Sequence, residues 1–407
     1  MNDKLALHGG KRSIPQSILD RIPLWPPVFP NVPRLFNQVY RSRQWSFGGK
    51  NELAFAQAFA EYHTAEHGVF MVNGTVTLEC ALQALGVGPG DEVIIPALTW
   101  MATAMAVVYR GAVPVFVDIE PDTMCIDPAK VKKAVTKKNK AIIPVHLYGS
   151  MADMDAIMDL ANQKGLAVIE DCAHAHGGVW AGKGVGSIGH IGSFSFQQSK
   201  TLTSGEGGAC ITNDEGLASK LHRLKHIGYD RQSAQGKASS GPPEGLICRN
   251  YRGTEFHALI LLESLKHLRK QTEKRDANAK RLARLIRDIP GIKLQARGRR
   301  ADLQGYYGLF FRFDPASFGG VELGRLIEVF SAEGLSLGKT YDPVYRHTLW
   351  NVPASMYRKA DPCRTCEFIC YQSALGLSHT WLLADEKTID AVSETLHKVW
   401  RHRSELK

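Results

Sequence analysis

Short runs of continuous apolar residues alternate with amphipathic segments between about residue 50 and residue 215. The runs lack the polar residue at every second position that a half-exposed strand would show, as in VPVFVDI, AIIPVHLY and LAVIED. Strands that are apolar on both faces are typical of a parallel sheet covered by helices on each side. The intervening segments, among them TVTLECALQAL and MDAIMDLANQKG, carry apolar residues at helical spacing. The pattern therefore predicts an α/β fold with a central, mostly parallel sheet and right-handed crossovers.

The alternation of strands and helices changes after residue 215. A long helical segment extends from about Glu255 to Arg287, and the last third of the chain has fewer strands, GIKLQ and YGLFFRF. A chain of 407 residues has room for two or three domains. We therefore expect a large domain over residues 1–260 and a smaller C-terminal α+β domain over residues 261–407, with the boundary inside the long helix.

Several classes of protein are disfavoured by composition. The N-terminus lacks the apolar region of a signal peptide, and no run approaches the ~18–20 apolar residues of a membrane span. Eight cysteines are few for this length, which favours reduced thiols and a cytoplasmic protein. The net charge of +10 is scattered along the chain, which argues against nucleic acid as a partner and favours a mild attraction for anionic ligands.

Three motifs match known ligand-binding patterns, but the residues around each of them argue against a ligand site. Residues 184–189 match the dinucleotide-binding pattern GxGxxG, yet the IGSFSF that follows predicts a strand where that site needs a helix. Residues 177–183 match GxxxxGK, but Gly184 stands where a phosphate-binding loop needs Ser or Thr. Cys363, Cys366 and Cys370 have metal-like spacing without a second Cys or His pair nearby, and Cys370 is expected to begin an apolar helix. We therefore expect no metal site.

The segment GSFSFQQSKTLTSGEGG is the strongest candidate for chemistry. A lone lysine is usually a surface charge, but Lys200 stands among hydroxyls and glycines with no acid immediately beside it. Ser195 precedes Lys200 by five residues, close enough for its hydroxyl to hold a phosphate near the lysine amine. Asp171 ends a buried strand, where α/β folds bind ligands, and a buried carboxylate needs a cationic partner or strong donors. A protonated pyridine nitrogen would be such a partner.

Two further positions could contribute to the same site. Gly74 and Thr75 open a helix after a strand, and the free N–H groups at a helix N-terminus bind phosphate. An ordinary turn and helix cap would show the same two residues. Trp100 follows a strand on a polar turn, where it could pack in the core or stack on a planar cofactor ring.

Taken together, these features resemble one family, the fold-type-I pyridoxal-phosphate (PLP) aminotransferases of the DegT/StrS sugar aminotransferase type. The resemblance covers nearly the whole chain, from SFGGKNELAFAQAFAEYH through EDCAHAHG and FSFQQSKTLTSGEGG to RNYRGTEFHALIL. It implies a PLP-dependent enzyme in which a large domain with a central sheet is joined to a smaller C-terminal domain. The ordered set of motifs is specific, although no single motif is.

The family pattern can be carried over residue by residue. Lys200 corresponds to the lysine that forms the Schiff base with PLP, and Asp171 to the aspartate that pairs with the pyridine nitrogen. His174 corresponds to the Gln-or-His near the cofactor's phenolic oxygen, and Trp100 to the aromatic residue stacked on its ring. The phosphate cradle implied by the resemblance consists of Gly74, Thr75 and Ser195.

The resemblance also implies an assembly. Asn250, in RNYR, corresponds to the asparagine that reaches the cofactor phosphate from the other subunit, which implies an obligate homodimer with shared sites. The alternative is an asparagine that only caps a helix beginning near Gly253. The family further implies L-glutamine or L-glutamate as amino donor and a keto-cyclitol or keto-sugar as acceptor, in two half-reactions.

The substrate side of the site is less well defined. Many nucleotide-sugar members have His two residues after the phosphate serine, whereas this chain has Gln197, as the enzymes acting on carbocycles do. The closest similarity is to scyllo-inosose aminotransferases and 3-amino-5-hydroxybenzoate synthases. The segment YDPVYRH replaces the usual P-x-H stretch and offers Tyr341, Tyr345 and His347 as substrate contacts. A nucleotide-sugar aminotransferase and a PLP-binding regulator remain alternatives; a dehydratase would replace Lys200 with His.

Overall fold

The computed structural model describes residues 4–406, and its central feature is an eight-stranded sheet. The strand order in this sheet is β1-β9-β8-β5-β4-β2-β3-β14, with β9 antiparallel to both of its neighbours and every other pair parallel. The strands of the central sheet are β1 His67–Met71, β2 Glu92–Pro96, β3 Val113–Val117, β4 Asn139–Ile142, β5 Ala167–Asp171, β8 Ile191–Ser195, β9 Gly208–Thr212 and β14 Arg358–Lys359. The predicted α/β fold with a mostly parallel sheet is confirmed.

Helices flank this sheet. The continuous apolar runs are its inner strands: all five residues of β2 and of β9 are buried. The helices of the described chain are α1 Gln16–Leu19, α2 Val32–Ser42, α3 Lys50–Tyr62, α4 Gly74–Ala84, α5 Ala102–Tyr109, α6 Pro128–Ala134, α7 Met154–Lys164, α8 Glu215–Lys225, α9 Glu255–Leu285, α10 Leu323–Glu333, α11 Arg364–Phe368 and α12 Glu386–Arg401. The long α9 corresponds closely to the helical segment predicted from sequence.

A second, antiparallel sheet lies in the C-terminal part of the chain, in the order β10-β12-β15-β13. The remaining strands are β6 Val179–Trp180, β7 Lys183–Gly184, β10 Ile292–Leu294, β11 Ala301–Leu303, β12 Gly308–Phe313, β13 Gly338–Lys339 and β15 Ala374–Ser378. The helix expected to begin at Cys370 is wrong, because the helical stretch around this residue begins with α11 at Arg364, continues as one turn over Ile369–Ser373 and ends at β15. An apolar run this short shows no period that separates strand from helix.

Two hydrophobic cores meet along α9. Ala258, Leu261 and Leu268 belong to the core around the large sheet, whereas Ala279 and Leu282 belong to the core around the C-terminal sheet. The division at residue 260 therefore falls in the first part of a continuous helix and stays a prediction. Within residues 4–406, no helix combines the length and the apolar character that a membrane span requires.

The glycine-rich loop at residues 184–189 has a structural role. The strand β8 follows it, as predicted, and its backbone N–H groups point at a buried carboxylate. Gly186, Ile188 and Gly189 donate to Glu170 at 2.9, 2.8 and 2.6 Å, and His146 Nε2 lies 3.0 Å from the same carboxylate. These donors saturate Glu170 and explain why a charged group can lie in the core next to Asp171.

Candidate active site

A cavity of about 480 Å³ opens where β5 and β8 end and α4 begins. It is lined by most of the residues that we predicted from sequence to form one site. These residues lie up to 267 positions apart in the chain (74 to 341). The predicted residues that line it are Gly74, Thr75, Trp100, Asp171, His174, Ser195, Lys200 and Tyr341.

The helix N-terminus of α4 forms one end of the cavity. Asn73 caps the helix by accepting a 2.9 Å hydrogen bond from Val76 N–H, which leaves the N–H groups of Gly74 and Thr75 in the first turn without an intrahelical acceptor. A Cβ built on Gly74 would come within 2.6 Å of Ser195 Cβ, so only glycine allows this approach. The turn and the serine hydroxyl together make an anion cradle.

Asp171 lies at the end of β5 with its carboxylate buried. Thr103 Oγ1 donates to Asp171 Oδ2 at 2.8 Å, and Ala173 N–H donates to Oδ1 at 3.2 Å. Because the Thr103 hydroxyl is committed to the carboxylate, Thr99 must donate the 2.8 Å bond between the two threonines. Burial raises the pKa of Asp171, which is the expected behaviour of a carboxylate with no cation in direct contact.

Lys200 is buried in the same cavity. Its pKa is lowered to about 8, chiefly by burial, while the charge of Asp171 opposes this shift. The Nζ atom lies 4.5 Å from the ring centroid of Tyr307, and the Tyr307 hydroxyl is 2.9 Å from Ser199 Oγ. A lysine in these surroundings is partly neutral near physiological pH and can act as a nucleophile or as a base.

His174 presents a defined tautomer to the cavity. Its Nδ1 accepts a 3.3 Å hydrogen bond from Tyr148 N–H, so the neutral ring carries its proton on Nε2. Burial and the charge of Lys200 lower the pKa of His174 well below the usual range, which keeps the ring neutral. The ring is stacked on Tyr307, with 4.1 Å between centroids. His174 is therefore a fixed, uncharged N–H donor.

The three candidate substrate residues are placed differently. Tyr341 lines the cavity, and its ring centroid is 5.2 Å from that of Trp100, whose side chain is half-exposed. His347 packs edge-on against Trp100 at 5.8 Å but does not line the cavity. Tyr345 points elsewhere, because its hydroxyl donates to Glu367 at 3.0 Å.

Asn250 does not line the cavity of its own chain. It is exposed beside His226, and its Oδ1 is 3.5 Å from Arg252 N. The alternative role of helix cap is wrong: α9 begins at Glu255, and its cap is Thr254, whose side chain accepts from a backbone N–H of the first turn.

Several residues in and around the site were not predicted from sequence, and three of them hold or cover predicted ones. Thr103 orients Asp171, Tyr307 covers Lys200, and His176 links Ser195 O (2.9 Å) to Thr201 Oγ1 (3.3 Å). The signal for Thr103 was present, since it stands three residues after Trp100 at the start of a helix. Tyr307 enters from the C-terminal part of the chain, and no local pattern marks it.

Comparisons with known proteins identify the family of this chain. The model of the DegT/DnrJ/EryC1/StrS aminotransferase family matches residues 31–396. The L-glutamine:2-deoxy-scyllo-inosose aminotransferase of Streptomyces paromomycinus is 37% identical over 99% of each sequence, and that of Streptomyces lividus is 38% identical over 100% of each. The crystal structure of 3-amino-5-hydroxybenzoic acid synthase superimposes with a TM-score of 0.83 at 33% identity, covering 93% of this chain and 99% of the other. The chain thus belongs to the DegT/DnrJ/EryC1/StrS aminotransferase family.

Proposed function

We propose that this aminotransferase uses PLP to move an amino group from L-glutamine or L-glutamate to a keto-cyclitol of the scyllo-inosose type. The observation that carries the proposal is the cavity in which a buried lysine, a buried aspartate and a helix N-terminus converge. The choice of donor and acceptor is supported by the names of the relatives from the two Streptomyces species.

The residues around the cavity fit PLP. The N–H groups of Gly74 and Thr75 and the hydroxyl of Ser195 would hold the phosphate, in a cradle that a Cβ on Gly74 would fill. Asp171 would pair with the protonated pyridine nitrogen, and that positive charge would offset the burial that now raises its pKa. Lys200 supplies the amine.

The chain's own residues divide the remaining work. PLP, when bound, supplies the electron sink and carries the amino group between the two substrates. Lys200 Nζ removes the proton from Cα of the amino donor, a role that needs the neutral amine; its pKa of about 8 makes that form available. The neutral His174 would donate its Nε2 proton to the phenolic oxygen of the cofactor. Trp100 and Tyr341, whose rings are in contact, line the same cavity.

Two other acceptors compete with a keto-cyclitol. The likeness to 3-amino-5-hydroxybenzoic acid synthase supports a planar carbocycle as the second candidate. Gln197, which lines the cavity, stands where many nucleotide-sugar members have His, and this argues for a carbocycle over a nucleotide sugar. The match to an aminotransferase family over most of the chain argues against a non-catalytic PLP-binding regulator.

A half-reaction screen tests the acceptor. The enzyme is loaded with pyridoxamine phosphate and offered scyllo-inosose, 2-deoxy-scyllo-inosose, and several 4-keto nucleotide sugars in separate reactions. We expect the visible absorbance of PLP to return with an inosose, because the acceptor takes the amino group and leaves the aldehyde form of the cofactor. Return of absorbance only with a nucleotide sugar would replace the keto-cyclitol proposal.

We further propose that the enzyme is a homodimer in which Asn250 reaches the partner's phosphate cradle. The support is the surface around Asn250: the chain segments 224–227 and 249–251 are joined by backbone hydrogen bonds, and one exposed apolar side chain lies in the first segment and another just before the second. Ile227 is 55% exposed and Ile247 is 67% exposed. Exposed apolar side chains clustered around a polar residue are typical of an interface between subunits.

Mixed dimers test the shared site. One chain carries Lys200→Ala and the other Asn250→Ala, so that in a heterodimer one site holds both lesions and the other holds neither. We expect the heterodimer to recover about half of the wild-type activity, because one of its two sites is whole. If Asn250 acts within its own chain, each site keeps one lesion and no recovery is seen.

A further inference from the structure

The loop between α1 and α2 brings the partly buried side chain of Trp25 close to Lys200. Leu24 and Val28 in this loop are 90% and 89% exposed, whereas Trp25 packs inward. Trp25 Nε1 donates a 3.1 Å hydrogen bond to the main-chain carbonyl of Lys200. An N-terminal residue thus contacts the backbone of the lysine on which the proposed chemistry depends.

The indole is held in place by two buried side chains. His379 meets the Trp25 ring edge-on at 4.7 Å, and the guanidinium carbon of Arg275 lies 5.5 Å from the ring centroid. Arg275 Nη2 is 3.3 Å from His379 Nδ1, and since arginine only donates, the histidine accepts and is neutral. Arg275 is 1% exposed, and its guanidinium lies between the acceptor nitrogen of His379 and the face of the Trp25 indole. We call Trp25, Arg275 and His379 the tryptophan cluster.

The tryptophan cluster contacts the main chain of Lys200, whereas the amine of Lys200 contacts a different residue, Tyr307. The backbone N–H of Lys200 donates to Gln197 O at 2.8 Å, so Trp25 provides the complementary hydrogen bond to the carbonyl. The side chain runs into the cavity, where Nζ meets Tyr307. A lysine side chain has four rotatable bonds, so the position of Nζ depends on how firmly its backbone is held.

We infer that Trp25 is a positioning residue: its indole N–H fixes the main chain of Lys200 and so keeps Nζ inside the cavity. The tryptophan cluster couples the N-terminal loop, α9 and the turn after β15 to the catalytic lysine. Because the inference rests on the proposed role of Lys200, its test must include a measurement of the lysine amine itself that does not depend on turnover.

The experiment uses the full chain without cofactor. The amine of Lys200 is acylated over a range of pH, and labelling is read by mass spectrometry. In the wild type we expect half-maximal labelling near pH 8, the pKa that burial gives this lysine. Trp25→Phe removes the N–H donor; Nζ then reaches water more often, and the midpoint shifts upward toward the pKa of an exposed lysine. The charge of Asp171 and the neutral rings of His174 and His176, which lie around Nζ, are unchanged by this substitution.

Turnover of the PLP-loaded enzyme gives the second readout. Trp25→Phe should lower kcat about tenfold with little change in KM, since one hydrogen bond that positions the reacting group is lost. Trp45→Phe is the matched control, because Trp45 Nε1 also donates at 3.1 Å to a main-chain carbonyl, that of Tyr40, outside the cavity. The control should change neither the labelling midpoint nor kcat.

A second variant isolates the N–H group in case Trp25→Phe fails to fold. Benzothienylalanine in place of Trp25 keeps the bicyclic ring, and with it the contacts to His379 and Arg275, but has sulfur instead of N–H. A wild-type midpoint in this variant would overturn the inference and leave Trp25 as a packing residue. Borohydride treatment of the PLP-loaded wild type distinguishes a failure of this inference from a failure of the proposed function. If no cofactor becomes fixed on Lys200, it is the proposed function that is contradicted.

Discussion

Lys200→Ala should lower transamination by more than about 10³-fold, because it removes both the attachment point of the cofactor and the base that takes the donor's Cα proton. The variant should still fold, since the amine of Lys200 contacts the Tyr307 ring at 4.5 Å, and within the described residues the loss of this contact leaves no hydrogen-bond donor or acceptor without a partner. It should also still bind PLP through the α4 N-terminus and Ser195. The measurements are steady-state turnover and borohydride trapping, which should fix cofactor on residue 200 in the wild type only.

Two controls make this prediction specific. Lys220→Ala removes an exposed lysine on α8 whose amine donates only to Ala84 O at 3.2 Å, and it should leave turnover unchanged. Small primary amines added to Lys200→Ala should restore part of the rate, since they can enter the space left by the side chain and act as the base. Full turnover by Lys200→Ala without added amine would remove Lys200 from the chemistry.

The parts of the site that could be predicted lie next to a local pattern. Asp171 ends an apolar strand, and Gly74 opens a helix after a strand, so topology alone brings both to one edge of the sheet. Lys200 was placed with them by its glycine-rich surroundings and by the family resemblance. The structure brings these residues to one cavity, and their roles in binding and catalysis stay predictions.

The parts that could not be predicted depend on contacts between distant segments. Tyr307, the residue just before β12, contacts the amine of Lys200, and Trp25, in the loop between α1 and α2, contacts its main-chain carbonyl. No local sequence pattern marks either residue. The helix expected to begin at Cys370 ends instead at Ser373, because the apolar residues from Ala374 onward pair with β12 and form β15. The role of a side chain can thus be predicted from sequence where the order of strands and helices determines its position. It cannot be predicted where contacts between distant segments determine that position.

Asp171→Asn should bind cofactor but lose at least about 100-fold in kcat, because a neutral amide cannot stabilise a protonated pyridine nitrogen. The substitution preserves shape, and the new amide oxygen can still accept from Thr103 or from Ala173 N–H. The stability of the fold should therefore change little. The loss of activity should appear in the removal of the donor's Cα proton, the step that needs the electron sink. Single-turnover rates with L-glutamine, compared with cofactor affinity measured by absorbance, separate these effects.

A second buried aspartate provides the matched control for Asp171→Asn. Asp118 directly follows β3, as Asp171 ends β5, and it is also buried, but its carboxylate accepts from the backbone N–H groups of Thr365 and Cys366 outside the cavity. Asp118→Asn should lower thermal stability, since charge-assisted hydrogen bonds become neutral ones, and leave kcat of the folded enzyme near wild type. If both variants lose kcat to the same degree, Asp171 acts through the stability of the sheet; if only Asp171→Asn does, its charge serves the cofactor.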